Sequence, residues 1–174
     1  TPDRETMTGL TKPLVPSKRI VVMGVSGCGK TSLGQLLAQA LNIPFIDGDD
    51  LHPARNIALM AQGQPLTDAD RWPWLDRVAQ VLSGADGVVA CSALKRSYRD
   101  RIKARAGGSL VFMHLAAPKS VIAARLAQRA GHFMPAALLD SQYVILEPLS
   151  DDENGITLPA DHSLSDLLAT ALRG

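Results

Sequence analysis

Charge of one sign is missing from this sequence. Its 18 Lys and Arg stand against 17 Asp and Glu, a formal net charge of +1. No global field therefore draws in nucleic acid or an anionic membrane. Aromatic side chains are also scarce, at 4%, which argues against a platform for stacking bases. Two cysteines, Cys28 and Cys91, cannot build a disulfide framework and suit a reducing compartment. No apolar run is long enough to span a bilayer, and no secretory signal pattern is recognisable. The expectation is a cytoplasmic, enzyme-sized domain that has neither nucleic acid nor membrane as partner. Two further absences concern chemistry. No Asn-Lys-x-Asp segment reads guanine, which argues against a GTPase switch. The apolar run Val88-Val89-Ala90-Cys91 ends without the Asp or Glu that motor ATPases need there.

What is present begins with Gly24, Val25, Ser26, Gly27, Cys28, Gly29, Lys30 and Thr31, followed by Ser32. The spacing is G-x-x-x-x-G-K-[ST]. A loop of this kind wraps backbone N–H groups around nucleotide phosphates, sends its Lys to the β- and γ-phosphates and offers its hydroxyl to Mg²⁺. The flanks agree. Arg19–Met23 reads as a short buried strand, and Lys30–Leu41 carries Leu33, Leu36, Leu37, Ala40 and Leu41 at helical spacing.

Strand and helix patterns then alternate. Strands are predicted at Pro44–Asp47, Val88–Cys91, Leu110–Leu115 and, weakly, Ile156–Leu158. Helices are predicted at Pro53–Gln62, Asp68–Ser83 with Asp68 as N-cap, Lys95–Ala106, Lys119–Arg129, Pro135–Leu146 and Leu164–Leu172. That alternation implies an α/β fold of three layers, its five-stranded parallel sheet covered on both faces. Ligands in such sheets bind beyond the carboxyl ends of the strands, so the loops after Met23, Ile46 and Cys91 should surround one cleft. Residues 1–17, with Pro2, Pro13 and Pro16 and no periodicity, read as a flexible lead-in to a single domain over 18–174. A segment of about 129–148 leaves the sheet pattern and reads as a lid.

The acid missing from the third strand has a substitute. Asp47-Gly48-Asp49 follows the second strand directly, so both carboxylates face the phosphate cleft. One can hold Mg²⁺ through water while the other accepts the proton of an attacking hydroxyl. Positive charge gathers at His52 and Arg55, at Arg71, and at Lys95 and Arg99. Each group is predicted to rim the cleft and to suit an anionic acceptor, since Arg binds carboxylates through two parallel hydrogen bonds. Arg125 and Arg129 share a helix face leading into Ala130-Gly131-His132-Phe133. Lid arginines can stabilise charge spreading over a transferring phosphoryl group, and His132 is placed to cap the lid or touch substrate. An acceptor-side acid and a lid together point to a small-molecule kinase.

These segments carry a resemblance. The phosphate loop, Asp47-Gly-Asp-Asp-Leu-His-Pro-Ala-Arg-Asn-Ile57, Pro65-Leu-Thr-Asp-Ala-Asp-Arg-Trp-Pro-Trp-Leu75, Cys91-Ser-Ala-Leu-Lys-Arg-Ser-Tyr-Arg-Asp100, and Arg129-Ala-Gly-His-Phe-Met-Pro135 with Leu146-Glu-Pro148 occur in that order. The chain resembles, from Ile20 to about Leu172, the thermoresistant-type gluconokinases, P-loop kinases related to shikimate kinase. The resemblance implies an adenylate-kinase-like fold, transfer of the ATP γ-phosphate to the 6-hydroxyl of D-gluconate with Mg²⁺, and a homodimer. It implies Asp47 as the Mg²⁺-side acid acting through water and Asp49 as the acid on the substrate hydroxyl. Arg125 and Arg129 match the lid pattern. Cys28 and Ala54 depart from the usual Ser and Arg. The partner of the substrate carboxylate stays open among Arg55, Arg71, Lys95 and Arg99. A shikimate-like or other hydroxy-acid kinase is the alternative enzyme, and a non-catalytic nucleotide switch the alternative outside enzymes.

Overall fold

A computed structural model of the chain describes residues 17–128 and 136–173. Five parallel strands form its sheet: β1 (Arg19–Met23), β2 (Phe45–Asp47), β3 (Gly87–Ala90), β4 (Val111–Ala116) and β5 (Gly155–Pro159). Their spatial order is β2-β3-β1-β4-β5. Parallel pairing requires a crossover between successive strands, and the helices supply it. They are α1 (Lys30–Leu41), α2 (Ala54–Ala61), α3 (Asp68–Leu82), α4 (Arg96–Ala106), α5 (Lys119–Gln128), α6 (Ala136–Ile145) and α7 (Leu164–Arg173).

Alternation along β1 shows why both faces are covered. Ile20 and Val22 pack with Leu33 and Leu37 of α1, Ile122 of α5 and Leu167 of α7. Val21 and Met23 pack on the opposite face with Trp74, Leu75 and Val78 of α3 and Tyr98 and Ile102 of α4. These four β1 side chains are fully buried, as a strand between two helical layers must be. The three-layer α/β expectation holds, with element boundaries within one or two residues of those read from pattern.

One cap differs. Thr67, rather than Asp68, caps α3: its side chain accepts from the Asp70 N–H while the Asp70 carboxylate accepts from the Thr67 N–H. This reciprocal box leaves Asp68 in the first turn with its carboxylate available elsewhere. The lead-in, Ser17 apart, lies outside the described residues, as do Arg129, His132 and the rest of 129–135. The remainder of the expected lid contains α6.

The winding reverses beside β1. The chain runs outward from β1 to β2, returns to β3, then crosses β1 to reach β4. Loops at the carboxyl ends of β1, β2 and β3 therefore meet over one crevice.

Candidate active site

The phosphate loop leaves β1 at Gly24, whose φ of 146° lies in a region that L side chains avoid. A Cβ there would also come within 2.7 Å of the Leu115 carbonyl oxygen and of Cys28 Sγ. Gly29 ends the loop in the left-handed conformation as N-cap of α1, with no side chain bonded to the helix N–H groups. Those donors and the positive end of the helix dipole are thus presented to an anion. Lys30 folds over the loop, Nζ donating to the carbonyls of Gly24 and Val25 at 3.0 Å each. Thr31 and Ser32 stand exposed in the first turn.

The acid pair is built at the end of β2. Asp47 caps the single 3₁₀ turn Gly48–Leu51, its Oδ1 accepting the Asp49 N–H at 3.0 Å. Gly48 is required because a Cβ would collide with the Ala90 carbonyl of the adjacent β3. Asp49 opens to the cavity, yet protein surrounds it closely enough that desolvation pushes its carboxyl above the ordinary range. Lys30 pulls it back down, and Asp47 and Asp50 add to the rise.

A cavity of about 460 Å³ lies between these elements. Its polar wall includes Ser26, Lys30, Asp49, His52, Arg71 and Ser92, with Gln64, Ser141 and Gln142 beside them, and Ile57, Met60, Leu66, Leu94 and Leu138 form much of the rest. His52 is buried and stacks on Trp74, with ring centroids 4.0 Å apart. Trp74 is fixed in turn by its Nε1–H, which donates to the Gly48 carbonyl at 2.7 Å. Burial, helped by the nearby Arg71 charge, lowers the His52 pKa to about 4. Arg71 is aimed by α4: it donates to the Tyr98 hydroxyl at 2.8 Å. Tyr98 itself donates a short hydrogen bond to Asp68.

The other basic residues are spent on partners. Arg55 is 78% exposed and pairs with Asp70 at 3.4 Å. Lys95 donates to Asp68 at 3.3 Å. Neither lines the cavity. Arg99 corrects the expectation most clearly, because its guanidinium is sealed in the protein. It forms a bidentate pair with Glu153 at 2.7 and 3.1 Å and donates to the carbonyls of Ala93 and Leu94. Those contacts hold Ala93 at φ 45°, an unusual conformation for alanine, in the loop that presents Ser92 and Leu94. Arg71 is therefore the one guanidinium on the cavity wall among the described residues.

Arg125 also reaches the phosphate loop, but from its far side. It donates to the carbonyls of Cys28 and Ala160. There it lines a second cavity, of about 370 Å³, with Gly27, Gly29, Ser32, Ala160, His162 and Leu164. Sequence reasoning missed His162, Trp74 and Gln142. The faint signal for Gln142 is a polar run, Asp140-Ser141-Gln142, inside the otherwise largely apolar Ala136–Ile145.

A family model for shikimate kinase matches residues 26–149. The gluconokinase of Gluconobacter oxydans strain 621H is 44% identical over 178 residues, covering 98% of this chain and 96% of the relative. The chain belongs to the gluconokinase family. The thermosensitive gluconokinase of Escherichia coli K12 is 42% identical, covering 84% of this chain and 81% of that relative. A crystal structure of a gluconokinase from Sinorhizobium meliloti 1021 superposes with a TM-score of 0.84 at 46% identity, covering 90% of each chain. The fold is thus that of the P-loop kinases, and the protein is a kinase. No described helix is long and apolar enough to cross a membrane.

Proposed function

We propose that this chain transfers the γ-phosphoryl group of ATP to the 6-hydroxyl of D-gluconate, giving 6-phosphogluconate and ADP. The observation that carries the reading is a single cavity in which the loop lysine, Lys30, shares a wall with Asp49, His52 and Arg71. A donor-side cation and an acceptor-side acid thus face the same volume, together with a guanidinium able to take a carboxylate.

ATP lies along the phosphate loop, its triphosphate on the Gly24–Ser32 backbone and its base in the second cavity beside Arg125 and His162. Lys30 leaves the carbonyls of Gly24 and Val25 for the β- and γ-phosphates. Gluconate enters with its carboxylate on Arg71 and its far hydroxyl at Asp49. Asp49 accepts the proton of that hydroxyl during in-line attack, the role of an ionised carboxylate within hydrogen-bond reach of it. Arg129 and His132 are assigned to the lid, whose closure excludes water as a rival acceptor.

Mg²⁺ fits this site because it prefers hard oxygens and takes only one or two from protein beside phosphates and water. The Thr31 hydroxyl and, through water, the second carboxylate oxygen of Asp47 would hold it. The ion supplies charge neutralisation on the phosphates. We infer further that the enzyme works in the cytoplasm, where ATP is available, and as a homodimer, as the family resemblance implies.

An acceptor panel tests the reading. With ATP and Mg²⁺, ADP release should rise with gluconate and stay at background with shikimate or with neither. Equal release in all three would make the protein an ATPase, and stimulation by shikimate alone would reassign the acceptor.

A further inference from the structure

The His52 side chain is held by a residue that lines neither cavity. Asn56, one turn along in α2, is 2% exposed. Its carboxamide nitrogen lies 3.2 Å from His52 Nδ1 and donates to the Asp70 carbonyl at 2.9 Å. The Asp70 carbonyl can only accept, so the amide must present its nitrogen on this side. That nitrogen has two hydrogens, one for Asp70 and one for His52. His52 Nδ1 therefore accepts.

We propose that Asn56 is a positioning residue that fixes His52 as the Nε2–H tautomer, a neutral donor aimed at an oxygen of the sugar acid. A neutral imidazole carries one proton. With Nδ1 occupied as an acceptor, that proton sits on Nε2, the nitrogen left to face a ligand in the cavity. Stacking on Trp74 fixes the ring plane, and Trp74 is bonded to Gly48 beside the acid pair. The reading frame for the acceptor is thus tied to the strand end that carries Asp49. Arg71, on the neighbouring wall, disfavours a second proton on the ring.

This assignment rests on the proposed acceptor cavity and deepens it by separating roles. A histidine protonated on Nε2 and blocked at Nδ1 has no lone pair with which to accept a proton from the attacking hydroxyl. The base is then Asp49, and His52 selects an acceptor by recognising a hydroxyl or carboxylate oxygen. An apolar or deoxy analogue would leave Nε2–H unpaired in a desolvated site.

Long-range ¹H–¹⁵N correlation of the imidazole nitrogens tests the tautomer on the protein without substrate. The His52 signals, one set of four histidines, are assigned by their loss in His52→Gln. Nδ1 should be unprotonated and Nε2 protonated at neutral pH. Asn56→Asp, which offers Nδ1 an acceptor, should move the proton to Nδ1 or charge the ring. It should also raise KM for gluconate about tenfold, the worth of one or two hydrogen bonds, with KM for ATP unchanged. Asn56→Ala should produce a mixture of tautomers and a smaller rise in KM. Circular dichroism separates loss of fold from loss of tautomer. A wild-type ring protonated on Nδ1, or an Asn56→Asp protein with an unaltered tautomer and KM, would overturn the proposal. An Nε2–H ring in a protein that does not respond to gluconate would instead sink the choice of acceptor while leaving the tautomer assignment standing.

Discussion

Gln142 of α6 grips Ser26 of the phosphate loop at both ends of its carboxamide: Oε1 accepts the Ser26 N–H at 2.8 Å and Nε2 donates to Ser26 Oγ at 3.1 Å. The helix within the expected lid segment is thus fastened to the loop that cradles phosphate. A carboxylate in place of this amide would set a negative charge against the incoming triphosphate. Gln142→Glu should raise KM for ATP about tenfold or more, since like charges a few ångströms apart near a protein surface repel by several kcal/mol. Initial-rate measurements at saturating gluconate check this, and an unchanged KM for ATP would remove Gln142 from the nucleotide's surroundings.

Arg71 and Arg99 looked equivalent in the sequence but should fail in different ways. Arg71→Met deletes the guanidinium facing the cavity and should raise KM for gluconate roughly 10- to 100-fold, the worth of a charge-assisted contact. Its melting temperature should change little. Arg71→Lys should recover only part of the loss, because an ammonium lacks the planar fork. Arg99→Met should instead destabilise the protein by roughly 3–5 kcal/mol, since it strands Glu153, whose side chain is 8% exposed. Urea unfolding and gluconate titrations on both variants discriminate. A folded, stable Arg99→Met protein with a selective defect in gluconate KM would reverse the two roles.

That contrast marks how far the sequence could be read. Periodicity located nearly every element because buried strands such as Ile20–Met23 and amphipathic helices such as Lys30–Leu41 advertise their faces. The phosphate loop and the acid pair were legible because their chemistry is local: a turn needs its glycines, and Asp47 and Asp49 are two residues apart. The fate of the basic residues was not legible. Whether Arg99 meets a ligand or Glu153 depends on a pairing 54 positions away, which no local pattern encodes. Trp74 as the shelf for His52 and His162 beside the second cavity were hidden for the same reason. The N-cap was misplaced by one residue because Thr67 and Asp68 are both good caps, and the reciprocal bond with Asp70 decides between them.

Acid should weaken the fold through two histidines. Burial lowers both His52 and His114 to about 4, with Arg71 contributing for the first and Arg99 and Lys30 for the second. His114 Nδ1 is buried with no hydrogen-bond partner among the described residues. The unfolded chain takes up these protons near pH 6.5, whereas the folded chain refuses them until about pH 4. Their contribution is therefore complete above about pH 6.5 and declines as pH falls toward 4, by roughly 3 kcal/mol for each histidine. Urea midpoints between pH 7.5 and 4.5 measure the slope. His114→Leu should stay within about 1 kcal/mol of wild type at pH 7.5, since it removes an unpaired polar atom. It should also abolish about half of the histidine-linked acid loss. An identical pH slope in the variant would contradict this assignment.

Asp49 should separate chemistry from binding. Asp49→Asn keeps the shape and the hydrogen-bonding reach but cannot take a proton, so kcat should fall about 10²- to 10⁴-fold. Binding of ATP, measured by calorimetry without gluconate, should survive because the loop, Lys30 and Thr31 are untouched. Near-normal turnover would remove Asp49 as the base.

The central claim is that phosphate leaves ATP for one hydroxyl of a sugar acid rather than for water. The most direct measurement follows the wild-type reaction with gluconate by ³¹P NMR and assigns the product by coupling to its carbon-bound protons. The account predicts one phosphate ester on the terminal 6-position, formed in equal amount with ADP and with no inorganic phosphate above the ATP-only control. Inorganic phosphate in place of the ester, or an ester on another hydroxyl, would contradict it.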